Sequence, residues 1–65
     1  MGNEIETATE YRAKAAEARA KADQMTDLSI REMLLRVALD YERMARGLEL
    51  LAEARETWKR GSDTD

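Results

Sequence analysis

Residues 11–22 read YRAKAAEARAKA, twelve positions holding six alanines, four basic side chains and a single acid. Two readings compete: a basic segment for an acidic partner, or a helix face trimmed so that another helix can lie close. The phase of the neighbouring apolar residues decides between them. Ala8, Tyr11, Ala15, Ala18, Ala22 and Met25 follow one another at steps of three and four, which puts all six on one narrow stripe of an α-helix. The stretch therefore reads as a packing face, and its periodicity predicts a helix over roughly 4 to 25.

The alternation resumes downstream. Ile30, Leu34, Val37, Tyr41, Met44, Leu48 and Leu51 keep the same steps, the pattern breaks at Arg55, and Trp58 takes it up again. This predicts a second helix over roughly 28 to 60. Between the runs lies one short polar break, Met25-Thr26-Asp27, where Asp27 is a good N-cap and Ser29 with Glu32 offers an alternative capping box. So short a connection makes the two helices antiparallel neighbours. The stripe keeps its phase across Gly47, which favours a continuous helix over a break followed by a third short helix at 48–60. Gly61 then ends the helix, giving a single domain over residues 1–60 and a frayed tail at 61–65.

Across a tight antiparallel turn, residues that face one another have nearly constant index sums. Ala22 with Ile30, Ala18 with Leu34, Ala15 with Val37, Tyr11 with Tyr41 and Ala8 with Met44 each sum to 52. Small residues of the first helix then face large ones of the second, and the axes can approach toward the short end of the usual ~8–10 Å range. The expected hairpin core is accordingly Ala8, Tyr11, Ala15, Ala18, Ala22, Met25, Ile30, Leu34, Val37, Tyr41, Met44 and Leu48. The two tyrosines meet at one level, where their rings can stack.

Two features exceed what an isolated hairpin needs. The second helix outruns the first by about a dozen residues beyond Leu48, ~18 Å at 1.5 Å per residue, and this overhang carries Leu50, Leu51, Ala52, Ala54 and Trp58. Leu28, Leu35, Leu39 and Leu50 fall on the side of that helix opposite the main stripe, leaving its first half apolar nearly all round. Leu28, Leu35, Leu39, Leu50, Leu51 and Trp58 are thus the expected oligomer or partner interface. The simplest solution is a homodimer of hairpins forming a four-helix bundle, with a trimer or a bundle with a different protein as alternatives. Trp58 serves either as an anchor in that interface or as a hot spot for another partner.

Composition narrows the function classes. The 65-residue chain has no cysteine and no histidine, which removes disulfides, thiolate metal sites and the commonest general base and metal ligand. There is no glycine-rich phosphate loop, no nucleophile with a base beside it, and no Glu-x-x-His pair of the kind a di-iron bundle uses. No catalytic, cofactor-binding or metal residues are therefore expected. The four methionines lie at or near core positions, where gap filling is the ordinary role. Fourteen acids against eleven bases give a net charge of −3, too balanced to call for a polyanionic or polycationic partner. Glu10 and Lys14, Glu17 and Lys21, Asp27 and Arg31, Glu32 and Arg36, Glu42 and Arg46, and Glu56 and Arg60 are spaced for helical pairs with the acid first. Met1-Gly2-Asn3-Glu4-Ile5-Glu6 has neither a basic region nor an apolar run, and its Glu6 spoils a myristoylation match. A cytoplasmic protein without a membrane span is expected.

Tyr11-Arg12, Ala15, Glu17, Arg19, Ala22, Met25-Thr26-Asp27, Arg31, Leu34-Leu35, Ala38, Tyr41-Glu42 and Met44-Ala45 form a pattern that resembles a group of short helical-hairpin hypothetical proteins of alphaproteobacteria. Those proteins often carry proline after the turn aspartate, where this chain has Leu28, and proline suits a first helical position. The resemblance implies the same hairpin with Asp27 as cap; it implies no activity, ligand or functional residue.

The sequence thus points to an all-α antiparallel two-helix hairpin, non-enzymatic, self-associating, and acting through protein-protein contacts as a regulator or adaptor. The reading from another class is a nucleic-acid-associated protein using Arg31, Arg36, Arg43 and Arg46; a basic patch from Arg12, Lys14, Arg19 and Lys21 is interleaved by Glu10, Glu17 and Asp23, and the lack of an aromatic platform also counts against nucleic-acid binding. A membrane-surface helix is disfavoured by the balanced charges.

Overall fold

The cap at Asp27 sets where the second helix starts. Its Oδ1 accepts hydrogen bonds from the backbone N–H groups of Ser29 at 2.9 Å and Ile30 at 3.2 Å, and its carbonyl accepts the first helical bond from Arg31 N–H at 2.9 Å. Two of the donors that a helix start leaves unpaired are satisfied by one carboxylate. In the computed structural model, which describes residues 3–63, helix α1 covers Glu4–Gln24 and helix α2 covers Leu28–Asp63. Asp27 is the cap, and the alternative box at Ser29 lies inside the first turn of α2.

α1 ends where Met25 turns extended, at φ −87° and ψ 131°, with its N–H donating to Ala22 O at 3.1 Å. At the other end, Glu4 and Glu6 place negative charge in the first turn of α1, the favourable sign for the helix dipole. α2 passes through Gly47 without a break and also through Gly61, ending at Asp63. The expected end at residue 60 is therefore too early, and of the expected tail residues 64 and 65 lie outside the described residues.

The hairpin is a rod, 59 Å by 15 Å by 13 Å, with a radius of gyration of 16.3 Å; a compact chain of this length would have about 11 Å. A rod of two helices has little inside. Among the described side chains the fully buried ones are all alanines: Ala8, Ala15, Ala18 and Ala22 on α1, Ala38 and Ala45 on α2. Ala15, Ala18 and Ala38 cluster together with Tyr41 packed against them. The indices of Ala15 and Ala38 add to 53, as do those of Ala8 and Ala45, so alanine faces alanine along the seam at a seven-residue repeat. Leu34, Tyr11, Tyr41, Leu48, Met25 and Ala52 are half-buried along its sides.

This corrects the expected core at three positions. Ile30, Val37 and Met44 are 41%, 37% and 44% exposed, and Ala38 and Ala45 take the places expected of Val37 and Met44. The reason is rotation of α2 about its own axis. Val37, Met44 and Leu51 each stand one residue before an alanine of the seam, and one residue is a turn of about 100°. Against the alanine face of α1, bringing a row of small residues of α2 into the contact lets the two backbones approach and multiplies close dispersion contacts. Part of the expected overhang is in contact with the start of α1: Ala52 is half-buried and Arg55 forms an ion pair with Glu4.

Candidate self-association surface

The rotation of α2 decides what the hairpin offers to solvent. Turning Ala38 and Ala45 inward turns the large residues outward. Ile5, Leu28, Ile30, Met33, Leu35, Val37, Leu39, Met44, Leu50, Leu51 and Trp58 are all exposed, Trp58 at 74% and Leu28 at 70%. Ten of these eleven belong to α2, too many and too closely spaced to be the scattered apolar residues of an ordinary surface.

They fall into two strips. Leu28, Leu35, Leu39 and Leu50 lie on the side of α2 turned away from the seam, and all four are exposed. Arg43 and Arg46 interrupt that strip between Leu39 and Leu50. The second strip borders the seam and is longer. Ile30, Met33, Val37, Asp40, Met44, Gly47, Leu51, Ala54 and Trp58 are separated by alternating steps of three and four over 29 residues. Such a heptad pattern is what one helix presents to another in a coiled coil. Leu51 and Trp58 were expected at an interface and lie on this strip; Met33 was missed, although its position three after Ile30 and four before Val37 was the available signal.

Ion pairs also bridge the two helices of the hairpin. Arg12 grips Glu49 with two hydrogen bonds, Nε to Oε2 at 2.9 Å and Nη2 to Oε1 at 2.7 Å, the bidentate form of the pair. Arg19 pairs with Glu42, and Arg55 with Glu4. All three ion pairs among the described residues run between the helices, whereas the sequence spacing suggested pairs within each helix. Glu42, spaced for Arg46, reaches across to Arg19 instead. The signal was present: Arg12 and Arg19 are seven apart, as are Glu42 and Glu49. Hydrogen bonds from Arg12 hold the Glu49 carboxyl below its ordinary pKa against partial desolvation, and Arg19 does the same to Glu42. The two guanidiniums are raised in turn by those hydrogen bonds.

These pairs also answer the question posed by the basic residues at 11–22. Arg12 and Arg19, two of its four cations, are tied to carboxylates of α2. At the open end of the hairpin, Glu4, Ile5, Ala52, Arg55, Glu56 and Trp58 border a shallow, mainly apolar notch. Among the described residues no three metal-ligating side chains converge, and no helix is long and apolar enough to cross a membrane.

Fold and surface together define an all-α antiparallel hairpin with an alanine seam and an unpartnered apolar strip beside it. Compared with protein-family models, curated proteins and solved structures, the chain matches none of them.

Proposed function

We propose that this hairpin is a small, self-associating cytoplasmic protein that acts through protein-protein contacts, as a regulator or adaptor, without catalysing a reaction. One observation carries the reading: among the described residues the fully buried side chains are alanines alone, while eleven large apolar side chains stay exposed. A chain of this size needs a larger core, a staple or a partner to fold stably, and it has no cysteine for a disulfide. Pairing hairpins into a bundle supplies the missing core without any new element. The nucleic-acid reading has less behind it, because Glu32, Asp40 and Glu42 interleave Arg31, Arg36, Arg43 and Arg46; a salt-dependent shift of labelled DNA or RNA would favour it. Sedimentation of the full chain over a wide concentration range tests the proposal. The expected result is a monomer that gives way to a dimer, with the melting temperature rising in step. A chain that stays monomeric and fully helical at every concentration would refute it.

A further inference from the structure

We infer that the strip from Ile30 to Trp58 is a seam for a second copy of this chain, with the two α2 helices antiparallel and a two-fold axis passing beside Met44. The inference rests on the self-association proposed above and specifies its surface and direction. The strip is its own complement when reversed. Its midpoint is residue 44, and turning it end for end sets Ile30 against Trp58 of the second copy, Val37 against Leu51 and Met44 against Met44, each pair adding to 88. Between these layers Met33 meets Ala54 and Asp40 meets Gly47, each adding to 87. Large side chains thus face small ones in alternate layers, as close helix packing requires, and the two-fold makes the interface isologous.

Asp40 and Gly47 select the direction. In a parallel pair Asp40 would meet Asp40 of the second copy, forcing two carboxylates together in an otherwise apolar seam, where desolvation and like charge both oppose it. Reversed, the carboxylate faces a residue with no side chain and keeps room for water. Gly47 supplies a separate reason. A Cβ built there meets nothing within 4 Å, so nothing inside the hairpin calls for glycine at a helical position where alanine would be better. A close approach from outside explains it.

The strip is also continuous with the hairpin's own seam, since Val37, Met44 and Leu51 directly precede Ala38, Ala45 and Ala52. A second copy placed there extends one packed layer into a four-helix array with the α2 helices at its centre. Over 29 residues the contact is ~43 Å long and about 10 Å wide in projection, which puts the total buried area near the low end for specific complexes, on the order of 1,000 Å². Arg43 comes near its own copy beside the axis, a like-charge contact that salt screens. The dimer is therefore expected to be weak and concentration-dependent.

Because the chain has no cysteine, cross-linking reads the geometry directly. Full-length Ile30→Cys and Trp58→Cys chains are mixed at a concentration where sedimentation finds the unmodified protein dimeric, and treated with a short bis-maleimide. The expected product joins residue 30 of one chain to residue 58 of the other, with no 30-to-30 product. A 30-to-30 product would overturn the antiparallel direction while leaving self-association intact. A dimer by sedimentation with neither product would place the interface elsewhere, and an unmodified chain that is monomeric throughout would overturn both readings. Gly47→Leu provides a check independent of the cysteine variants: helicity should be retained while the dimer dissociation constant rises at least tenfold, and an unchanged constant would sink the seam.

Discussion

The ring of Tyr11 lies against the ring of Tyr41, centroids 5.8 Å apart and planes inclined by 28°. With fully buried positions held by alanines, these half-buried rings are the largest side chains in the seam. Tyr41→Ala is expected to cost about 2 kcal/mol, below the ~3–5 kcal/mol typical of truncating a fully buried aromatic because the ring is only half-buried. In a chain this short that lowers the melting temperature on the order of 10 °C. Tyr41→Phe, which keeps the stack, should melt close to the unmodified chain. Equal melting of the Ala and Phe variants would mean that the stack contributes nothing.

The alanine seam can be separated from its neighbour by two adjacent substitutions. Ala38→Leu, at a site with 0% exposure, should overpack the seam and destabilise by ~1–3 kcal/mol. Ala18→Leu should act alike. Val37→Ala, one residue away and exposed, should change hairpin stability by less than ~0.5 kcal/mol. Melting followed by circular dichroism on dilute, monomeric protein makes the comparison; the reverse order of losses would restore Val37 to the core.

Gly47→Ala should stabilise the single hairpin by up to ~1 kcal/mol, since the new methyl meets no neighbour within the chain and alanine is the better helix former. A urea titration of dilute protein gives the value. A loss of stability would show that the glycine is needed within the hairpin.

Acid should loosen the hairpin through Glu42 and Glu49. Their carboxyls titrate below the ordinary value in the folded chain, held there first by hydrogen bonds from Arg19 and Arg12. A depressed folded pKa contributes stability above the unfolded value of about 4.3 and loses it as pH falls through the folded value. The melting temperature should thus drop between about pH 6 and about pH 3, and drop less in the Glu42→Gln, Glu49→Gln double variant. Parallel pH profiles for the two proteins would remove the cross-helix pairs from the account.

Much of the hairpin can be read from local chemistry. Asp27 caps α2 because a carboxylate two and three residues before unpaired N–H groups is a local arrangement, and the level meeting of Tyr11 with Tyr41 follows from the tightness of one turn. Ala8, Ala15, Ala18 and Ala22 were legible because they share their phase with Tyr11 and Met25, unlike the exposed row Ala13, Ala16 and Ala20. The ion pairs were misread because spacing of four within a helix is visible in a list of residues, while Arg12 reaching Glu49 depends on which faces of two helices are turned together.

That dependence marks the boundary. Periodicity and capping, both properties of a few consecutive residues, suffice for two helices, their starts and their antiparallel order. Which stripe of α2 turns inward is another matter. Ile30, Val37 and Met44 and the row Ala38, Ala45 and Ala52 are neighbours on one helix surface, both in phase with a helical repeat. The choice between them turns on how closely two axes can approach, a property of both helices at once, and the alanine face of α1 settles it for the smaller row. The apolar strip left on the outside follows from that choice.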